Sequence, residues 1–284
     1  MIRVSNLYYS YSNDENYAVK DISFEIKRGE IFGFLGPSGA GKSTTQNILI
    51  GLLPLQKGSV LVDGRDIRTS SRHLFNSIGV SFEIPNVYKK LSGVENLKFH
   101  SEMYSVPTLE PVKLLKMVGL EQAARKRAGG YSKGMLQRLV FVRSMINNPK
   151  IWFLDEPTAG LDPGTTGVIK DIIKEKQQQG TTVFLTTHNM HIAEELCDTV
   201  AFISNGEISA IDSPKSLKLK YGERLVEIEY KEGGKLKKEL LSLADKNHKQ
   251  RINKLVSDAK IETMHTREAT LEQVFIKVTG RGLK

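Results

Sequence analysis

The stretch GPSGAGKST at residues 36–44 leaves the chain few folds to choose from. It follows the apolar run IFGFL, fits the spacing Gly, four residues, Gly-Lys-Ser, and opens a segment with helical periodicity. Such a turn works where a strand ends and a helix begins. Its glycines let successive backbone N–H groups converge on a phosphate, and the helix N-terminus adds partial positive charge. In this pattern Gly36, Pro37, Ser38, Gly39, Ala40 and Gly41 form the cradle, and Lys42 reaches the β and γ phosphates. Ser43, followed by Thr44, offers a hydroxyl to magnesium. Other apolar runs, at 78–82, 151–154, 182–185 and 200–203, alternate with helical segments, as in an α/β protein with a largely parallel, buried sheet.

The run at 151 continues as IWFLDEP, so two carboxylates, Asp155 and Glu156, stand side by side at the edge of a core. Adjacent like charges repel unless a cation is near. Beside a phosphate loop their roles separate: the acid ending the strand holds the metal shell, and the next orients or deprotonates the attacking water. Side chains alternate along a strand, so Asp155 and Glu156 face different tasks.

The chain of 284 residues has room for about two domains. Its single cysteine, Cys197, makes no internal disulfide, and no run approaches the roughly 20 apolar residues of a membrane span. The N-terminus lacks a signal-peptide pattern, so a cytoplasmic setting is expected. The net charge of +9 raises the question of nucleic acid, but 17 basic against 10 acidic residues lie after residue 214. There Lys and Glu are interspersed, with few aromatics, which predicts a solvated surface and no nucleic-acid partner.

Three further segments differ from the parallel core. The first 30 residues alternate and carry turn residues, as antiparallel strands do. From Pro85 to about Pro149 periods of three and four dominate, which predicts a helical insertion. After Asp212-Ser213-Pro214 the strand-like RLVEIEY, a Gly233-Gly234 turn and a last helix with a Thr270/Gln273 capping box predict an α+β appendage. Within the insertion, GGYSKGMLQRL at 129–139 offers Ser132 as an N-cap, leaves backbone N–H groups uncovered at Gly134, and aligns Leu136, Leu139, Val140 and Arg143 on one helix face.

With these motifs in order, residues 1 to about 214 resemble the nucleotide-binding subunits of ATP-binding cassette (ABC) transporters. The resemblance implies an α/β P-loop NTPase core with an antiparallel β subdomain, a helical subdomain at about 84–148, and a small C-terminal α+β appendage at 215–284. It implies that Ser132 and Gly134, in the family's signature position, contact the γ-phosphate of ATP held by a second subunit. His188, ending TVFLTTH, resembles the switch histidine that contacts the γ-phosphate. Asp162 of AGLD resembles the residue that couples the two ATP sites across the dimer. Tyr11 fits the adenine platform better than Tyr17, since it closes a YSYS strand.

Two departures bear on the subgroup. Glu83 stands where Gln is common, and serves either the metal or the strand end. Lys133 and Met135 replace Gly and Gln in the signature, as in drug and lipid exporters, and TREATLEQVF from Thr266 to Phe275 resembles their C-terminal extension. What the resemblance implies is a Mg2+-dependent ATPase subunit, paired with a second ATP-binding subunit around two ATP molecules. It would drive a separate integral membrane permease, an exporter, from the inner face of the cell membrane. The permease is expected to dock beside residues 83–97.

Two alternatives are weaker. A soluble, non-transport cassette ATPase normally carries long coiled coil between its motifs, and only 87 residues without sustained heptads separate Thr44 from Ser132. A nucleotide-sensing regulatory subunit would not need Lys42, Asp155, Glu156 and His188 all intact.

Overall fold

Strands that are apolar at every position need cover on both faces, and the chain supplies it with a six-stranded sheet flanked by helices. The computed structural model describes every residue except 13, 70, 71, 259, 260, 281, 283 and 284. Its contacts divide the chain into two units, residues 1–211 and 212–282. The large sheet has strands β3 (Ile31–Leu35), β6 (Ile78–Ser81), β7 (Ile151–Asp155), β8 (Thr182–Thr187), β9 (Thr199–Ser204) and β10 (Glu207–Asp212), in the order β10-β9-β3-β8-β7-β6. Pairing from β6 through β9 is parallel, as the sequence predicts. The strand expected at 78–82 stops at Ser81, the last residue paired with β7 opposite Leu154, and leaves Phe82 and Glu83 to a loop.

The register fixes the functional edge. Leu35 lies opposite Thr187, and Asp155 opposite Thr186, so the carboxyl ends of β3, β7 and β8 finish together. In a parallel sheet that edge is where ligands bind. Three helices carry the chain around this sheet: α1 (Lys42–Leu49), α6 (Pro163–Gln178) and α7 (Met190–Leu196).

A second, antiparallel sheet contains β1 (Ile2–Tyr9), β2 (Val19–Ile26), β4 (Lys57–Val62) and β5 (Arg65–Asp66), in the order β2-β1-β4-β5. The sequence reading found its first two strands and missed the hairpin of β4 and β5, whose turn is Asp63-Gly64, both residues left-handed. Phe24 of β2 stacks on Phe32 of β3 at 5.3 Å between centroids and lies 6.3 Å from Phe184 of β8, so one aromatic cluster fastens this sheet to the parallel one. Buried Cys197 packs beneath β3: a Cβ at Gly33 would lie 2.7 Å from its Sγ.

After α2 (Arg72–Ser77) and β6 comes the helical segment, with α3 (Gly93–Ser101), α4 (Pro111–Met117) and α5 (Lys133–Arg143) and no strand among its described residues. Each helix has a capping signal in the sequence. Ser92 and Glu95 close a reciprocal capping box, Glu110 accepts from Val112 and Lys113 ahead of Pro111, and Ser132 caps α5.

The second unit has its own core. Helix α8 (Pro214–Tyr221) precedes a three-stranded antiparallel sheet of β11 (Leu225–Glu232), β12 (Lys235–Ser242) and β13 (Ile261–Arg267), with β11 central. Helix α9 (Lys246–Ser257) packs Ile252 and Leu255 on Val226, Ile228, Tyr230 and Leu241. Helix α10 (Leu271–Thr279) begins with the expected Thr270/Gln273 capping box. The interspersed charges noted in the sequence pair across strands: Glu227 meets Lys238 and Arg267, each at 2.7 Å. Arg251 bonds Glu239 at 2.6 Å, and with Tyr230 holds that carboxyl down at about 2.

Phe184 is fully buried and touches the rings of Phe24, Phe32, Phe34 and Phe153. Phe184→Ala is expected to destabilise the chain by about 3–5 kcal/mol in urea denaturation, the usual cost of a large aromatic cavity.

Candidate nucleotide site

The phosphate loop is shaped by two glycines for which no other residue would serve. A Cβ at Gly36 would lie 2.1 Å from the carbonyl oxygen of Ile203, so only a bare backbone passes β9 there. Gly41, the N-cap of α1, has φ +106° and no side chain to cap the helix. The first N–H groups of α1 are therefore left for a ligand, with the helix dipole behind them. Lys42 is buried, and its Nζ donates to the carbonyls of Gly36 at 2.7 Å and Pro37 at 2.8 Å. Ser38, Gly39 and Ser43 are exposed, and the Ser43 hydroxyl has no hydrogen-bond partner among the described residues.

Three carboxylates surround this one ammonium. Burial lowers the pKa of Lys42, while the charges of Glu156, Asp155 and Glu83 oppose that shift. Burial raises the pKa of Asp155, and the nearby charges of Glu83 and Glu156 add to the rise. The hydroxyl of Thr186 donates to Asp155 Oδ1 and works the other way, as does Lys42. Negative charge exceeds positive, which suits a site that receives a cation.

Glu156 is 6% exposed and is held by the end of β8. Its Oε1 accepts from the His188 backbone N–H at 2.8 Å and faces His188 Nδ1 at 2.6 Å, while Oε2 accepts from Thr187 Oγ1 at 2.8 Å. Because a carboxylate oxygen only accepts, Nδ1 carries the proton in this contact and Nε2 is left for another partner. The Glu156 backbone is left-handed, at φ +45°, a conformation rare outside glycine that turns the chain sharply out of β7. Thr186 and Thr187 were not singled out from the sequence, although two hydroxyls ending a strand just before His188 were the available signal.

The remaining residues divide between this edge and a second cluster. Tyr11 is 64% exposed, meets Tyr9 edge-on, and has its hydroxyl 3.0 Å from Thr44 Oγ1, which brings it to the phosphate loop. Tyr17 instead packs edge-on against Tyr8. Ser132 Oγ accepts from Met135 N–H at 3.2 Å as the N-cap of α5. A Cβ at Gly134 would be 3.6 Å from Leu161, and one at Gly160 would be 3.4 Å from Lys133 Cε, so the start of α5 lies against the 159–162 loop. Asp162 caps α6 by accepting from the Thr165 N–H at 3.0 Å and its hydroxyl at 2.6 Å. No hydrogen bond or ion pair among the described residues joins Ser132 or Gly134 to the phosphate loop.

A sequence model of the family described as ABC transporter matches residues 19–159. Across its whole length, and across 94% of the relative, the chain is 46% identical to the fluoroquinolones export ATP-binding protein of Mycobacterium tuberculosis. The chain belongs to the ABC transporter ATP-binding family. As an ABC cassette it binds ATP, and its catalytic class is ATP hydrolysis.

A solved ATP-binding subunit of an ABC transporter is 26% identical to this cassette, with TM-score 0.71 over 78% of this chain and 93% of that one. A dimeric cassette solved in a post-hydrolysis state with ADP and Pi is 28% identical, with TM-score 0.68 over 75% and 98% of the two chains. Both have the α/β architecture described above.

The raised pKa of Asp155 sets a sign for stability. An acid whose folded pKa exceeds its unfolded value holds its proton more tightly when folded. Stability therefore falls as pH rises from the usual carboxylate value, about 3.9, through the raised one, and stays lower at neutral pH. Asp155→Asn is expected to raise the Tm of the ligand-free cassette at pH 7 and to leave it unchanged at pH 3, by differential scanning fluorimetry.

Proposed function

We propose that this cassette is the Mg2+-dependent ATP-hydrolysing subunit of an exporter, acting in pairs beneath an integral membrane permease. The observation that carries the reading is the clasped Glu156: a buried carboxylate beside Asp155, tied to His188 at the sheet edge where Lys42 emerges. A buried carboxylate fixed by three donors and flanked by a second acid is suited to orient and deprotonate water. His188, already oriented through Nδ1, offers Nε2 toward a γ-phosphate held by Lys42 and the backbone of residues 36–44.

The carboxylate excess fits a divalent cation. Among the described residues no three His, Cys, Asp or Glu side chains are grouped to hold an ion alone. That suits Mg2+, which relies on one or two protein oxygens completed by phosphate and water. Ser43 and Asp155 would hold it, with Glu83 beside them, and when bound it neutralises charge developing on the phosphates. Tyr11 would support the adenine, from its position against Thr44.

Pairing follows from the two clusters. Ser132 and Gly134 would meet the ATP of a second subunit, identical or closely related, and Asp162 would connect the two sites. The solved cassette dimer with ADP and Pi supports this arrangement. Among the described residues no helix is long and apolar enough to cross a membrane. The resemblance to export subunits supports a separate permease chain, docking beside residues 83–97. That would hold the cassette at the cytoplasmic face. Similarity along the whole chain to an export subunit supports export over a non-transport ATPase or a sensor, and makes fluoroquinolones the first compounds to test. We assign residues 1–214 to ATP binding and 215–284 to an accessory role in dimer contacts or regulation, without nucleic acid.

Glu156→Gln keeps the shape but removes the base. Phosphate release should fall by about 100-fold or more, the usual worth of a positioned base, while ATP binding persists. Light scattering should detect an ATP-dependent dimer of this variant, absent with ADP and absent when Lys42→Ala is added. Hydrolysis at the wild-type rate would remove Glu156 from this role. Truncation after Lys215 should leave ATP affinity within about twofold by fluorescence titration, since residues 216–284 contain none of the phosphate-binding motifs.

A further inference from the structure

Two threonines end β8, and each reaches one of the two acids at the end of β7. Thr186 lies directly opposite Asp155 in the parallel register, and side chains alternate along a strand, so Thr186 and Thr187 point to opposite sides. Thr187 gives its hydroxyl proton to Glu156 Oε2 at 2.8 Å. Thr186 serves both acids: its backbone carbonyl accepts from the Glu156 N–H at 3.0 Å, and its hydroxyl donates to Asp155 Oδ1. That hydroxyl has one proton and two acceptors in reach, the other being the Leu154 carbonyl at 3.4 Å. The carboxylate is closer and charged, so it takes the proton.

Packing alone does not call for a hydroxyl here. Thr186 is fully buried, after Val183, Phe184 and Leu185, which are buried and apolar. A hydroxyl in such a place costs stability unless it is paired, and its partner is Asp155, itself 7% exposed. Branching at Cβ restricts the threonine to few rotamers, so the hydroxyl is held on the carboxylate. Asp155 is thereby pinned through Oδ1, while its Oδ2 makes no hydrogen bond among the described residues. One oxygen is committed and the other is open.

Resting on the reading that Asp155 and Ser43 hold the cation, we propose that Thr186 determines which cation the site takes, favouring Mg2+ over Ca2+. Mg2+ demands near-ideal octahedral geometry and needs only one or two carboxylates, whereas Ca2+ accepts a carboxylate through one or both oxygens in flexible geometry. A carboxylate pinned through one oxygen cannot turn to offer both. The open Oδ2 is enough for the smaller ion, and the second oxygen that the larger ion could use is withheld. Thr186 touches neither metal nor nucleotide and acts only by orienting Asp155, as partners of metal-ligating side chains do. It is a positioning residue that sets metal specificity.

The test uses the full chain carrying Glu156→Gln, so that bound ATP stays intact. Mn2+ is loaded with ATP no more than equimolar to the chain, and the electron paramagnetic resonance signal of free Mn2+ is followed as Mg2+ or Ca2+ displaces it. The readout is the ratio of the Ca2+ midpoint to the Mg2+ midpoint, in which the affinity for Mn2+ cancels. Thr186→Val is expected to lower this ratio by about 10-fold, the lower end of the usual effect of removing a partner that orients a metal ligand. Thr186→Ser, which keeps the hydroxyl, should restore it. A merely structural role would weaken both ions alike, so an unchanged ratio in Thr186→Val, or one that serine does not restore, overturns the proposal. Thr186→Ala gives the same readout should the valine chain not fold, since it too removes the hydroxyl. Asp155→Asn separates this inference from the reading on which it rests. If that change leaves Mn2+ affinity intact, Asp155 holds no cation and both fail; if Mn2+ affinity is lost there while Thr186→Val keeps the ratio, the role of Thr186 alone fails.

Discussion

The register of three parallel strands governs this protein. Because Leu35 pairs with Thr187 and Thr186 with Asp155, the loop after β3, the acids ending β7 and the histidine after β8 arrive at one edge. A shift by one residue would turn every side chain of a strand to the opposite face. The apolar side chains that fix the register, Phe32, Phe34, Phe153 and Phe184, do no chemistry, yet they set which polar groups can meet. Phe24 extends the same cluster into the antiparallel sheet, which carries Tyr9 and leads into Tyr11.

At that edge the electrostatics are unbalanced. Asp155, Glu156 and Glu83 all act on Lys42, and burial weakens the one cation. The unliganded site manages this with hydroxyls and backbone groups: Thr186 on Asp155, Thr187 and His188 on Glu156. Such bonds orient the carboxylates without cancelling their charge. Arg143, a buried residue at the end of α5, shows the converse case, its terminal nitrogens donating to the backbone carbonyl and Oδ1 of Asn86. Both places hold charge that the chain's own ionised groups leave unbalanced.

Much of the architecture was legible in the sequence because apolar runs and caps act locally. The strands of the parallel sheet, the helical segment, and the caps at Ser132 and Thr270 followed from side-chain type and spacing. The hairpin of β4 and β5 did not, since Gly58 and the polar turn break its alternation, and β4 is defined by its distant pairing with β1, from Ile2 opposite Val62 to Tyr8 opposite Lys57. In the site, the phosphate loop and the Asp155-Glu156 pair were readable as motifs. The clasp of Glu156 by Thr187 and His188 was not, because it depends on how β7 and β8 align. Nor could the sequence show that Arg143, which lies on a helix face with Leu136, Leu139 and Val140, ends beside Asn86 without a carboxylate.

The cap on α5 has a consequence of its own. A serine hydroxyl has one proton to give and two lone pairs to receive, and Ser132 uses a lone pair on the Met135 N–H. Its proton is not consumed by that bond. An anion arriving at the start of α5 can therefore take a hydrogen bond from Ser132 while the helix stays capped, so binding there involves no exchange of one partner for another. Contact at this point requires no local rearrangement of the cap.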